Sequence, residues 1–277
     1  MPLPVSPLLE SRDALDRAAC RLADVLRSLP DTDATVPGSS WTVGDTAAHV
    51  VISLRHATLV AARRAVPWAE GATSTQVAAH RIAELNTLAM SVETERGPQA
   101  LAGLLLTAVD DYLAGTATLP PDRPMHSPYY LGEIAPDHAG LTGIQLSEVL
   151  VHGYDIANVT GRPWPIAADE ARLALRAAVR LTPAFVDPEI AHGHTGGYDL
   201  WVRGGPRVVF RFTDGRVSLE EPGVAPVDCH VLAEPVALLL LMYGRIPQWM
   251  PIASGRLIPW GRRPWRALGF RQMFVNP

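Results

Sequence analysis

The chain contains no lysine; all 24 of its basic residues are arginine. Schiff-base catalysis and a P-loop both need a lysine amine and are thereby excluded. Cysteine is nearly as scarce. Cys20 and Cys229 stand far apart and fit no metal or redox spacing, which argues against a disulfide scaffold and leaves both as small packing groups. Positive charge is not in excess, the net charge being -4, so nothing supports the basic patch of a nucleic-acid-binding protein. No apolar run approaches the ~20 residues that span a membrane; the longest is Val236 to Tyr243. The first residues, MPLPVSPLLESRDALDR, lack a basic region followed by an apolar one. A cytoplasmic protein, on no membrane, is expected. There is also no G-x-S-x-G elbow, no H-E-x-x-H and no G-x-G-x-x-G.

What is present reads as globular. The 277 residues are 48% hydrophobic and 19% charged, outside the disordered range and enough for one large domain or two ordinary ones. From about Ser6 to Leu29, apolar residues recur at helical spacing and Pro30 ends the run. After a polar loop, SWTVGDTAAHV restarts the period, with Thr42 as N-cap, Asp45 completing a capping box and Trp41 just before it. Further helical patterns cover Thr75 to Glu95 and Pro98 to Leu113. A Pro- and aromatic-rich stretch, Thr118 to His138, is long enough to be a crossover or a loop over a site.

The stretch Gly140 to Pro165 carries the chemistry. Its apolar positions recur with helical spacing and Gly161, Pro163 and Pro165 stop it. Glu148 and His152, four residues apart, leave one face of this helix, as two ligands to one metal do. A glutamate facing a bundle core costs several kcal/mol unless it is paired or metal-bound. Two ligands do not hold a zinc ion, so a third must come from elsewhere. His49, among the small residues Thr46, Ala47 and Ala48, is the best candidate, with His56 seven residues on as its rival on nearly the same face. Asp155, three residues after His152, is placed to accept a hydrogen bond from a ligand imidazole or from substrate, and is the candidate catalytic residue.

Ala167 to Phe185 reads as another helix, and HGHTGG at 192–197 as a linker. From Gly196 the texture changes to strand-like runs separated by Gly-Gly-Pro and Asp-Gly turns, then a helix near Pro235. Helices first and strands afterwards predict an α+β chain of two domains, 1–188 and 189–277.

The motifs SWTVGDTAAHV and LSEVLVHGYDIANVTGRPW resemble the N-terminal domain of the mycothiol-dependent maleylpyruvate isomerases, within the DinB-like metal-binding bundle superfamily. YDLWV, FRFTDGRVSLE, DCHVLAEPVALLLLMYGRI and ASGRLIPWG resemble the smaller SCP2-like α+β domain that follows it there. The resemblance implies a DinB-like four-helix bundle in which His49, Glu148 and His152 bind Zn2+ or another divalent metal. It implies mycothiol as cosubstrate in an actinobacterial cytoplasm, acting as isomerase or S-transferase on an electrophilic small molecule. It also leads one to expect a catalytic arginine from the second domain, for which Arg256, Arg262, Arg263 and Arg266 are candidates. Tyr129, Tyr130 and Trp164 could line the site's mouth or simply pack. Two alternatives stand beside it: an SCP2-like carrier or sensor of an apolar ligand, with Val236 to Met242 lining a cavity and the metal structural, and a bundle hydrolase working without thiol.

Overall fold

The computed structural model describes residues 8–69, 82–126 and 135–275. The chain divides into two compact units, parting between Ile166 and Ala167. The first holds helices α1 (Leu8–Arg27), α2 (Val43–Ala61), α3 (Ile82–Met90), α4 (Pro98–Thr116) and α5 (His138–Thr160). Helix α1 turns one apolar stripe inward, Leu15, Ala18, Ala19, Leu22, Ala23 and Leu26, all shut off from solvent. Each buried leucine contributes roughly 1.5–3 kcal/mol to that packing. Helices α1 and α2 each pack against both α4 and α5, closing a four-helix bundle, while α3 lies along α2. The expected bundle is therefore present. Its consequence for the site is that α2 and α5 are neighbours.

Helix α2 begins as its sequence demands. Thr42 Oγ1 accepts the Asp45 amide at 3.1 Å and the Asp45 carboxylate accepts the Thr42 amide at 3.0 Å, a complete capping box. Arg96 Nε donates to the other Asp45 oxygen at 2.8 Å, tying the start of α4 to the start of α2. Helix α5 is capped by Asp137, which accepts the Gly140 amide, and ends at Gly161, whose φ of 67° is the left-handed conformation that glycine enters without strain. Of the long stretch between α4 and α5, Tyr129 and Tyr130 lie outside the described residues, as does the first part of the helix expected from Thr75.

The second unit begins with α6 (Ala168–Leu181) and continues into a five-stranded sheet. Its strands are β1 (Gly196–Val202), β2 (Arg207–Thr213), β3 (Arg216–Glu220), β4 (Cys229–Ala233) and β5 (Leu257–Trp260). They lie in the order β3-β2-β1-β4-β5, with β1 and β4 parallel and every other pair antiparallel. The β2–β3 hairpin turns at Asp214 and Gly215, where the Asp-Gly signal stands. Helix α7 (Pro235–Met242) buries Ala237 and Leu238 to Leu241 and packs against α6. That contact explains why α6, expected to close the first domain, belongs to the compact unit of the sheet: its stripe of Ala171, Ala174, Leu175 and Val179 is covered there. The short helices α8 (Trp249–Ala253) and α9 (Ala267–Phe270) complete the unit. HGHTGG is no linker. His194 shares a 2.8 Å hydrogen bond with the Tyr198 hydroxyl and stacks among Tyr198 and Phe212, and the two glycines open β1. No described helix is long and apolar enough to cross a membrane.

Candidate metal centre

Glu148 and His152 project from one face of α5, and α2 brings His49 to the same point. His49 Nε2 lies 3.1 Å and His152 Nε2 3.3 Å from Glu148 Oε2. One ligand atom from each of the three lies within 4.8 Å of the others, so the set converges as a metal site requires. The two imidazole rings stand edge to face, 5.0 Å between centroids. His49 is 8% exposed, and Trp41, the residue before the α2 cap, lays its ring 4.9 Å from the His49 ring. The capping box therefore fixes both a ligand candidate and the aromatic wall beside it.

The electrostatics fit a half-buried anion with two partners. Burial pushes the Glu148 carboxyl up, but hydrogen bonds from His152 and His49 outweigh it and leave the group well below the usual carboxylate range. Burial pulls His152 down, while its contacts with Asp155 and Glu148 bring it out above the usual imidazole value. Asp155, itself buried, places Oδ2 3.2 Å from His152 Nδ1. An acceptor there holds the ring with Nε2 turned toward Glu148, which is what a carboxylate behind a ligand histidine does. One carboxylate and two imidazoles form a donor set that zinc accepts at sites keeping a coordination position for water or substrate. The residues present fit the group.

The rival histidine sits elsewhere on the same helix. The His56 ring meets Trp68 edge to face at 6.2 Å, and burial lowers its pKa to about 4. It is a packed neutral imidazole, and it is absent from the converging group. Trp164 is packing. Its Nε1 donates to the Leu150 carbonyl at 2.9 Å, and its ring lies so close to Gly153 that a Cβ there would come 2.1 Å from Cζ2. At about 100° per residue, Leu150 and Gly153 point well away from Glu148 and His152. The candidate arginines all belong to the second unit and have partners there or face solvent. Arg266 and Arg263 pair with Asp228 at 2.7 and 3.6 Å, Arg256 Nε donates to Ser254 at 3.1 Å, and Arg262 is exposed.

Two further residues of the seam were missed from sequence. Ser53 Oγ donates to Gln145 Oε1 at 3.1 Å. Ser53 is four residues after His49, and Gln145 is three before Glu148 and seven before His152, so helical spacing alone could have placed both on the site's face.

Residues 15–157 match the family described as the mycothiol maleylpyruvate isomerase N-terminal domain, just over half of the chain. The chain belongs to that family. His49, Glu148, His152 and Asp155 all fall within the matched stretch. No curated protein matches the sequence. Among solved structures, a mycothiol-dependent maleylpyruvate isomerase aligns over 87% of this chain and 91% of its own, at 14% identity and a TM-score of 0.50. A histidine-to-alanine mutant bearing the same name aligns over 91% and 92%, at 13% identity and a TM-score of 0.53. At such identities these likenesses show that the fold is shared. The chain also aligns with 24% of an inverting sec-alkylsulfatase from Pseudomonas sp., over 50% of itself at 14% identity, with a TM-score of 0.32 on which nothing is built.

Proposed function

We propose that this member of the family is a metal-dependent enzyme that uses mycothiol as a nucleophile toward an electrophilic small molecule, either isomerising the molecule or transferring the thiol to it. His49, Glu148 and His152 hold the divalent metal, for which zinc is the best fit to a two-imidazole, one-carboxylate set. The observation that carries the reading is the convergence of these three donors from two neighbouring helices around one half-buried carboxylate. A divalent ion bound there would acidify a coordinated thiol enough to make it anionic at neutral pH.

The chain's own residues supply the rest. Glu148 brings one negative charge, which limits how much positive charge a bound ion leaves in a half-buried site. Asp155 orients His152 and keeps its Nδ1 as donor, so that Nε2 offers a lone pair; it acts as a positioning residue through that ring. Trp41 covers one side of His49 and restricts solvent there. The second unit's mixed sheet, with α6 and α7 packed together beside it, supports reading it as the SCP2-like partner domain of the same architecture. A cytoplasmic location goes with use of an intracellular thiol.

Two measurements on purified protein test the proposal. Metal analysis is expected to give about one divalent ion per chain in wild type and a loss of at least tenfold in metal affinity for His49→Ala, the order seen when a ligand set is disturbed. Mycothiol consumption is then followed on metal-loaded protein against maleylpyruvate and a panel of alkylating electrophiles. Absence of a stoichiometric ion, with metal content unchanged in His49→Ala, would overturn the reading.

A further inference from the structure

The charge of this chain is unevenly laid out. From Pro235 onward it carries six arginines and no aspartate or glutamate, whereas the residues before Pro235 carry 18 arginines against 28 acidic side chains. The basic stretch forms α7, α8, β5, α9 and the turns between them. Gln248 Nε2 donates to the Ala267 carbonyl at 2.6 Å, which joins the start of α8 to the start of α9 and brings Trp249 into one neighbourhood with Trp265 and Leu268. These three side chains are 67%, 64% and 56% exposed, and Met250 beside Trp249 is exposed as well. Single exposed apolar residues are ordinary on a protein surface. Several large ones gathered by one hydrogen bond mark a surface that meets something apolar.

Their exposure is enforced by the backbone around them. Arg266 Nη1 donates to Asp228 Oδ2 at 2.7 Å and to the Thr195 carbonyl at 2.9 Å, and Ala267 is buried. The turn Pro264–Arg266 is thereby pinned with the Trp265 side chain outside it. Arg262 and Arg263 precede this turn and are exposed. The carboxylates nearest to the stretch in the chain are already engaged. Asp228 accepts from Arg266 and lies 3.6 Å from Arg263, and Glu234 accepts the Val236 and Ala237 amides at the start of α7. The adjoining strands β4 and β5 contain no acidic residue. What faces solvent is a set of indole and aliphatic side chains bordered by guanidinium groups.

That combination selects the partner. Tryptophan seats its indole at the headgroup level of a bilayer, and each arginine near an anionic leaflet adds about fivefold in affinity. A single-stranded nucleic acid would use the indoles and the arginines but gain little from Leu268 and Met250, which offer no ring to stack on. A bilayer can be met without being crossed, so a surface of this kind needs no spanning helix. We propose that Trp249, Trp265 and Leu268, with Arg262 and Arg263 beside them, dock the protein peripherally on a membrane rich in anionic phospholipid. The surface shares no residue with the metal centre, so neither assignment depends on the other.

The test is sedimentation of the full-length protein in low salt with phosphatidylcholine vesicles containing about 30% phosphatidylglycerol, against vesicles of phosphatidylcholine alone. Wild type is expected to bind the anionic vesicles at least tenfold more tightly than the neutral ones, with its tryptophan emission moving to shorter wavelength. Salt at about 0.5 M is expected to release it. Trp249→Ala and Trp265→Ala are each expected to lose about tenfold in affinity, because a large apolar side chain no longer leaves water. Arg262→Ala combined with Arg263→Ala is expected to lose about 25-fold. All four side chains are exposed, so thermal unfolding is expected to stay at the wild-type temperature, and the arginine pair decides should a tryptophan variant fail to fold. No binding of wild type to anionic vesicles, equal binding to neutral ones, or undiminished binding by the folded variants overturns the assignment. So does self-association, or binding of oligothymidylate, that these substitutions abolish while vesicles stay unbound.

Discussion

Replacing Asp155 by alanine separates a designed metal centre from a fortuitous cluster of polar side chains. The carboxylate sits 3.2 Å from His152 Nδ1, and the other ring nitrogen sits 3.3 Å from Glu148 Oε2. With Nδ1 held as donor to Asp155, Nε2 can exchange its contact with Glu148 for a lone pair offered to a bound ion, and the variant loses that hold on the tautomer and the ring angle. Loss of such a partner behind a ligand histidine typically lowers metal affinity 10–100-fold, or about 1.4–2.8 kcal/mol. Asp155→Asn keeps an acceptor of similar shape without the charge, so it is expected at the low end, roughly tenfold. The assay is competition for zinc against a chromophoric chelator at pH 7, with thermal unfolding of the metal-free proteins run alongside. A purely structural role would move the metal-free unfolding and leave zinc affinity alone. Equal zinc affinity in folded Asp155→Ala and wild type would refute the positioning argument.

Two other perturbations follow from the bundle. Gly153→Ala inserts a Cβ into the Trp164 ring and is expected to destabilise the protein by roughly 1–3 kcal/mol in urea unfolding, with Trp164→Leu in the same chain recovering part of the loss; a neutral Gly153→Ala would contradict the close approach. His56 is one pH-sensitive element: burial lowers it from 6.5 to about 4, so between those values the unfolded chain binds the extra proton and the folded one does not. Stability then falls as pH falls through that window, by roughly 3 kcal/mol in all, and His56→Phe is expected to flatten the profile between pH 6.5 and 4; an unchanged slope in the variant would count against it.

Local chemistry made much of this readable in advance. The capping box at Thr42 and Asp45 needs three residues and one helix, and it forms as written. The Glu148–His152 pair needs one helical turn, and the Asp214-Gly215 hairpin needs one turn type. What the sequence left open depended on how elements far apart in the chain meet. His49 and His56 lie two turns apart on one face of α2, and no property of α2 alone decides between them. The choice is made by the height at which α5 crosses, which sets Glu148 against His49 and leaves His56 against Trp68. The parallel pairing of β1 with β4 was equally hidden, because β2 and β3 intervene and pair by nearest-neighbour hairpins.

The same register explains why Gln145 escaped notice. Read along α5, a glutamine three residues before a ligand candidate is one polar residue among several. Its meaning comes from Ser53, 92 positions earlier in the chain, which reaches its oxygen only because α2 and α5 already share the His49–Glu148 contact. Antiparallel helices that meet at one pair must meet again a turn away, where residues i+4 on one face residues i-3 or i-4 on the other. Once His49 and Glu148 are in contact, Ser53 is bound to look toward Gln145. The polar character of both residues is then a choice, since an Ala–Leu pair would seal the seam at lower cost.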